Sequence, residues 1–311
     1  MKKFKIIATI LILVLIIFEI IAYNPKKVST TDKKMITVSS FVLYDITKYI
    51  AQDKFKIVNI LPFGTDPHSF EPTPKLMRSI EKSSLVVLSG AGLEPWIDSM
   101  EFKAKVLDIS KVVSLIELEE HENEDEDHEG HHHHHGSKDP HYWLDFENMK
   151  NAAQSVSSEL TTLSPNEENF FQSNRDKYIE MLSNLQEKYM KKLSSCKQNH
   201  IILNHNAIGY LAHRYNFHLE SLSGLSPEAE SSPSDIKRII NDVKKEGIKT
   251  IFFEDFVNAK SIKNIANDTG INVEVFHTLG NITADQAKNS ASYKSLMEEN
   301  LKLLSKALEC N

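Results

Sequence analysis

The most concentrated metal-binding chemistry in the sequence lies between Glu119 and His135. This stretch, EEHENEDEDHEGHHHHH, holds seven of the fourteen histidines and eight carboxylates. Neutral imidazole is a preferred ligand of zinc, copper and nickel, and carboxylates add oxygen donors. A segment of this composition cannot bury itself, so the sequence predicts a solvated loop over residues 119–137. Metal handling, a plain solvated loop and an expression tag are the competing interpretations, although a tag belongs at a terminus.

Four isolated histidines stand where the sheets of an α/β fold present ligands: His68, His141, His205 and His277. Three of them follow predicted strands, and His141 follows the acidic loop. The carboxyl ends of parallel strands gather binding residues at one edge of a sheet. Four imidazoles drawn from both halves of the chain therefore permit a tetrahedral, fully ligated zinc site. Neighbouring carboxylates are predicted to orient these imidazoles: Asp66, Asp139, Asp145 and Glu254.

Apolar runs separated by helical patterns make up most of the remaining sequence. Short strands are predicted at Met35–Val38, Phe55–Leu61, Leu85–Leu88, Val106–Ile109, His200–Leu203, Thr250–Phe253 and Asn272–Phe276. Strands that alternate with helices indicate an α/β fold with mainly parallel sheets. Residues 166–194 keep a helical apolar spacing without Gly or Pro, so one long helix is predicted there. The predicted architecture has two similar lobes, 35–163 and 199–311, joined by one long rigid backbone helix over 165–195.

The N-terminus has the composition of an export signal. Three lysines precede an apolar run from Ile6 to Phe18, and the positive flank places the rest of the chain outside the cytoplasm. The residues Ile21-Ala22-Tyr23 make a poor cleavage site, so residues 1–23 are interpreted as either a signal peptide or an uncleaved membrane anchor over residues 6–23. No cysteine follows the run, so no lipid anchor is predicted.

The overall charge excludes one class of function. The net charge of −7 is local, because the acidic loop carries eight negative charges and no Lys or Arg, which leaves about +1 for the other residues. Such a chain lacks the basic surface of a nucleic-acid-binding protein. At 311 residues it has room for one or two domains with a substantial core.

The chain contains two cysteines, Cys196 and Cys310. In the oxidising environment outside the cytoplasm, an even pair favours a disulfide. It would tie the C-terminal end of the chain to the start of the second half. Two free buried thiols are the alternative, because spacing alone does not determine connectivity.

Several motifs, in the correct order, resemble the metal-binding solute-binding proteins of ABC importers, the zinc- and manganese-uptake group called ZnuA/TroA-like. Thr65–Pro74 (TDPHSFEPTP) resembles the first-ligand motif of that group, and Gly90–Trp96 (GAGLEPW) resembles its next strand-loop signature. Asp139–Asp145 (DPHYWLD) and Asn204–Ala212 (NHNAIGYLA) are similar to the second- and third-ligand motifs. The likeness runs from about Met35 to the C-terminus.

This resemblance implies a fold of the periplasmic-binding-protein type, with the metal in the cleft between the lobes. It also implies that the ion is handed to a cognate membrane permease powered by a cytoplasmic ATPase, and that the protein is not an enzyme. His68, His141 and His205 match the ligand motifs residue by residue. His277 stands where an Asp is common, so the fourth ligand is His277, a water or a carboxylate.

Three or four imidazoles favour Zn²⁺ over Mn²⁺, which prefers oxygen donors. We therefore predict a monomeric, extracytoplasmic zinc-binding component of an ABC importer. A manganese-binding homologue and a surface adhesin or metal-buffering protein are the alternatives. A zinc hydrolase is a further alternative because open three-histidine sites activate water. No HExxH helix supports it, however.

Overall fold

The computed structural model describes residues 33–118, 138–223, 233–254 and 260–311. The predicted signal or anchor at residues 1–23 and the predicted histidine-acidic loop at 119–137 lie outside these residues. Among the helices that the model describes, none combines the length and the apolar composition needed to cross a membrane.

The N-terminal lobe is built on four short strands: β1 (Met35–Val38), β2 (Lys56–Asn59), β3 (Leu85–Leu88) and β4 (Lys105–Asp108). They form one parallel sheet in the order β2-β1-β3-β4. Helix α1 (Phe41–Ala51) follows β1, and helix α2 (Pro74–Ile80) follows β2. All four residues of β3 are buried, as expected for an inner strand of a parallel sheet that is covered on both faces.

Two consecutive helices connect the lobes: α3 (Phe146–Leu163) and α4 (Glu168–Lys192). Helix α4 corresponds to the predicted long helix, and its 25 residues extend over about 37 Å. Helix α3 was not predicted. The buried face of α4 packs against α1 and contributes to a continuous apolar core that also includes residues of both lobes. Its buried residues are Phe171, Tyr178, Leu182, Leu185 and Tyr189.

The C-terminal lobe repeats the architecture with a second parallel sheet. Its strands are β5 (His200–His205), β6 (His218–Ser223), β7 (Thr250–Phe253) and β8 (Asn272–Val275). Their order is β6-β5-β7-β8. The helices of this lobe are α5 (Gly209–Tyr215), α6 (Pro233–Glu246), α7 (Lys260–Thr269), α8 (Ala284–Lys288) and α9 (Tyr293–Ala307). The predicted fold of two similar parallel-sheet lobes joined by a long helix is confirmed.

A disulfide joins Cys196 to Cys310 across 114 positions of the chain. Of the two alternatives for the cysteines, the structure therefore shows the cross-link. Cys196 lies shortly after α4, and Cys310 lies just after α9. The bond fastens the last helix to the beginning of the C-terminal lobe.

Candidate metal site

Two of the predicted ligands lie in loops of the same local design. In Asp66-Pro67-His68, the Oδ1 atom of Asp66 accepts the backbone N–H of His68 at 3.1 Å. In Asp139-Pro140-His141, the Oδ1 atom of Asp139 accepts the backbone N–H of His141 at 2.8 Å. In such a tight turn the Asp side chain accepts the backbone N–H of the residue two positions later. The proline between them has a fixed φ angle. The Asp-Pro-His sequence therefore presents each histidine from a rigid turn.

The third predicted ligand, His205, is the last residue of β5. This strand lies in the middle of the second sheet, between β6 and β7. The side chain of His205 is buried. A site that combines His205 with ligands from the other lobe is thus built on the rigid end of a central strand.

The imidazoles of His68, His141 and His205 come together between the lobes. The Nε2 atom of His141 lies 3.2 Å from that of His68 and 3.4 Å from that of His205. Among the described residues, these three histidines form the only group of His, Cys, Asp or Glu side chains close enough to share an ion. The cavity between them measures about 10 Å³, roughly the volume of one water-sized sphere. It is lined by Asp66, Pro67, His68, His141, Trp143, His205, Glu254, Thr278 and Gly280.

Buried carboxylates hold the outer nitrogens of two of these imidazoles. The Nδ1 atom of His141 lies 2.8 Å from Oδ1 of Asp139, and Nδ1 of His205 pairs with Oε1 of Glu254. Carboxylates in these positions favour the tautomer with the proton on Nδ1, which leaves the Nε2 lone pair for an ion. Asp139 and Glu254 are two of the carboxylates predicted from the sequence to orient the imidazoles.

Glu254 is itself held by neighbouring polar groups. Asn204 donates its Nδ2 hydrogen to Glu254 Oε1 at 3.1 Å, and Thr278 donates its hydroxyl to Oε2. Burial alone would raise the pKa of Glu254, but the charge of His205 and hydrogen bonds from His205, Thr278 and Asn204 bring this pKa below its ordinary value. The group facing His205 is therefore an ionised carboxylate.

His68 is the ligand candidate with the strongest electrostatic perturbation. Its burial, together with the neighbouring His141 and His205, lowers the pKa of the His68 imidazole from 6.5 to about 2. The ring is consequently neutral at physiological pH. Neutral imidazole is the form that coordinates a metal ion, since a protonated ring has no free lone pair.

The structure does not bring His277 to this cluster. Its Nε2 atom lies 3.1 Å from a carboxylate oxygen of Glu299, and Gln286 donates to its Nδ1 atom at 3.2 Å. The extended chain after β8 explains the difference: Phe276 and Thr278 are buried, whereas His277 points to the opposite side. The residue that faces the site from this segment is Thr278, which sequence reasoning missed.

Asp145 also has a role that differs from its predicted one. Its Oδ1 atom accepts the backbone N–H groups of Glu147 and Asn148 at the start of α3. Its Oδ2 atom accepts from Arg214 at 2.7 Å. Asp145 is thus a helix N-cap with an ion-pair partner, and it does not contact the clustered imidazoles.

Two parallel-sheet lobes, a connecting helix and an imidazole cluster between the lobes define a metal-binding solute-binding protein of the periplasmic-binding-protein type. A family model described as "Zinc-uptake complex component A periplasmic" matches residues 36–307. The chain belongs to this ZnuA family, as its motifs predicted. It is therefore the extracytoplasmic, metal-binding component of an ABC importer, and not a member of an enzyme family.

Curated relatives include proteins named for two different metals. The high-affinity zinc uptake system protein ZnuA of Bacillus subtilis is 30% identical over 90% of this chain and 89% of its own length. The manganese ABC transporter substrate-binding lipoprotein PsaA of Streptococcus pneumoniae is 27% identical over 99% of both chains. The family therefore establishes metal binding without choosing between zinc and manganese.

Solved structures share the whole two-lobed fold. The laminin-binding protein Lmb of Streptococcus agalactiae, described as both an adhesin and a metal transporter, is 27% identical. It superimposes with a TM-score of 0.78 over 88% of this chain and 99% of its own. The Zn(II)-bound ZnuA-like domain of AdcA from Streptococcus pneumoniae is 26% identical, with a TM-score of 0.75 over 89% and 99% of the two chains.

Proposed function

We propose that this protein captures Zn²⁺ between its lobes through His68, His141 and His205 and delivers the ion to its permease. The observation that carries this proposal is the convergence of three Nε2 atoms on one small buried cavity. The protein works as a monomer on the outer side of the membrane, and residues 6–23 anchor it if they are not cleaved.

The spacing of the nitrogens supports zinc. A tetrahedral zinc ion with Zn–N bonds of about 2.0–2.1 Å separates its ligand nitrogens by roughly 3.3–3.4 Å. The two Nε2–Nε2 distances around His141, 3.2 and 3.4 Å, agree with that spacing. Imidazole donors favour zinc, whereas manganese is better served by oxygen donors. The donor set of this site therefore selects zinc despite the manganese proteins among its relatives.

The fourth coordination position belongs to an oxygen donor. His277 is held by Glu299 and Gln286, so the fourth donor is a water or a carboxylate oxygen from the cavity wall. Asp66 lines the cavity. Glu254 lines it as well, but both of its oxygens already pair with His205, Asn204 and Thr278. Three nitrogens and one oxygen make a complete tetrahedral zinc site.

The same cavity argues for binding without catalysis. At about 10 Å³, it has room for an ion, but an organic substrate beside the ion would need far more space, since ligand pockets are typically about 300–1,000 Å³. Hydrolytic zinc enzymes hold an organic substrate beside their metal-bound water, and this cavity has no room for one. We infer that the ion itself is the cargo.

A competition titration tests this function. Metal-free protein, titrated with zinc against a chromogenic chelator, is expected to bind one ion tightly, and a large excess of Mn²⁺ is expected not to displace it. Tight manganese binding that excludes zinc would contradict the proposal.

A loop deletion is the matched control for that titration. Glu117 and Lys138, which flank the loop in the sequence, pair as an antiparallel bridge, so a short linker can join them in place of residues 119–137. The deletion variant is expected to keep the single tight ion and to lose any weaker ones. Loss of the tight ion with the loop would assign it to the loop instead of the cleft.

A further inference from the structure

The chain segment after β8 crosses from the C-terminal lobe to the N-terminal lobe behind the imidazole cluster. This interlobe segment is defined here as Thr278–Ile282. Backbone N–H groups of the other lobe donate to it twice: Phe41 to the carbonyl of Gly280 at 3.2 Å, and Gly64 to the carbonyl of Ile282 at 2.9 Å. The segment is therefore fixed to both lobes.

Within this segment, one side chain holds the loop that carries the first ligand. The Nδ2 group of Asn281 donates to the carbonyl oxygens of Pro62 and Thr65, at 2.7 and 2.8 Å. Its Oδ1 atom accepts the backbone N–H of Ile282 at 2.8 Å. Asn281 is only 4% exposed. Both amide hydrogens are thus used, inside the protein, to fix the chain at positions three and six residues before His68.

The neighbouring positions of the segment contact the other two ligand loops. Thr278 donates its hydroxyl to Glu254, the partner of His205, and its carbonyl accepts the indole N–H of Trp143 at 2.8 Å. Trp143 lies two residues after His141. The segment therefore meets the surroundings of all three imidazoles within five residues.

The packing at Gly280 is close on the side that faces the ligand loops. A Cβ atom there would lie 3.3 Å from Cγ of Pro67, the residue before His68, and 3.5 Å from Cζ2 of Trp143. The preceding residue, Leu279, has a φ angle of +63°, which is uncommon for a side chain of this type. Non-glycine residues keep such conformations where the surrounding structure fixes them.

From these contacts we propose that Asn281 is a positioning residue for zinc, acting through His68. The proposal rests on the function proposed above. A carbonyl oxygen is an acceptor only, so the two Asn281 N–H groups supply the donors that bind the carbonyls of Pro62 and Thr65. Together with the backbone bond from Gly64 to Ile282, they fix this stretch against the C-terminal lobe. That loop carries His68, and the distance of His68 from His205 depends on its attachment to the opposite lobe. The side chain thereby sets the spacing of ligands that belong to different lobes.

The variant Asn281→Asp tests this role without a change of size. The carboxylate removes both donors and places a negative charge against two carbonyl oxygens. The zinc affinity is expected to fall about tenfold or more, within the range that outer-shell hydrogen-bond partners of metal ligands produce. The matched control is Asn289→Asp, which makes the same change at an exposed position of the same lobe and is expected to bind zinc like the wild type.

A double variant separates positioning from general destabilisation. If Asn281 acts through His68, the substitution Asn281→Asp has no further effect on zinc affinity in a His68→Ala background. Equal losses in both backgrounds, or wild-type affinity in the single variant, would overturn the proposal. Wild-type protein that binds zinc tightly, and a His68→Ala variant that binds it measurably more weakly, keep the proposed function intact under either of these outcomes.

A second variant covers the case in which Asn281→Asp does not fold. Asn281→Ala removes both donors to Pro62 and Thr65 and adds no charge. It is expected to weaken zinc binding in the wild-type background and to have no effect in the His68→Ala background. Unchanged affinity of a folded Asn281→Ala variant would then decide against the proposal.

Discussion

Replacement of His141 by alanine is expected to weaken zinc binding by more than about 100-fold, beyond the 10–100-fold that changes to outer-shell partners produce. His141 is the central imidazole, since its Nε2 atom lies within 3.4 Å of both other Nε2 atoms. Its side chain is 2% exposed, and Asp139 holds its outer nitrogen. The variant removes one donor and leaves that buried carboxylate without its imidazole partner.

Chelator competition measures this loss directly, with His213→Ala as the control. His213 lies on α5 and is exposed, so the same substitution there is expected to leave the affinity unchanged. A thermal melt of each metal-free variant checks that the fold is retained. If His141→Ala bound zinc within a factor of ten of the wild type, His141 would not be a ligand.

Removal of the disulfide is expected to lower the free energy of unfolding by about 2–4 kcal/mol, the typical range for a bond that closes a long loop. The cross-link spans 114 positions, so its loss releases a large loop in the unfolded chain. The double variant Cys196→Ser/Cys310→Ser separates this effect from thiol chemistry. Denaturant titration with a linear extrapolation measures it.

The double variant Cys196→Ser/Cys310→Ser is expected to lose stability but not zinc affinity. Cys196 lies before the start of β5 and His205 at its end, so the whole strand, about 16 Å from its first to its last residue, lies between them. The folded double variant is therefore expected to bind zinc like the wild type. Reduction of the wild-type protein should reproduce the stability of the variant. Equal stability of oxidised and reduced protein would show that the cross-link does not contribute to the fold.

The fold was predictable where local sequence decides the structure. The strands at Met35–Val38, Leu85–Leu88 and Thr250–Phe253 agree with the prediction to the residue. Strands of a parallel sheet are buried on both faces, so they appear in the sequence as short, nearly continuous apolar runs. Strand β6 was missed, since its sequence HLESLS lacks a continuous apolar run. Helix α3 was missed as well, because its buried face includes the polar residues Asn148 and Ser157.

The candidate site was predictable only in part, because local motifs identify ligands but do not determine side-chain direction or where the chain crosses between lobes. The motifs around His68, His141 and His205 mark residues that the structure brings together, although they come from distant parts of the chain. His277 follows a strand too, but a shift of one residue in an extended chain reverses the direction of a side chain. Asn281 was beyond prediction, because its role depends on where the chain crosses between lobes, and no local pattern records that crossing.

The most direct test of the central claim is a crystal structure of the zinc-loaded protein with anomalous data at the zinc edge. We expect one strong peak in the cleft, about 2.0–2.1 Å from the Nε2 atoms of His68, His141 and His205. His277 should remain on Glu299, and an oxygen should complete the tetrahedron. A peak coordinated by His277, or tight zinc only outside the three-histidine cavity, would contradict it.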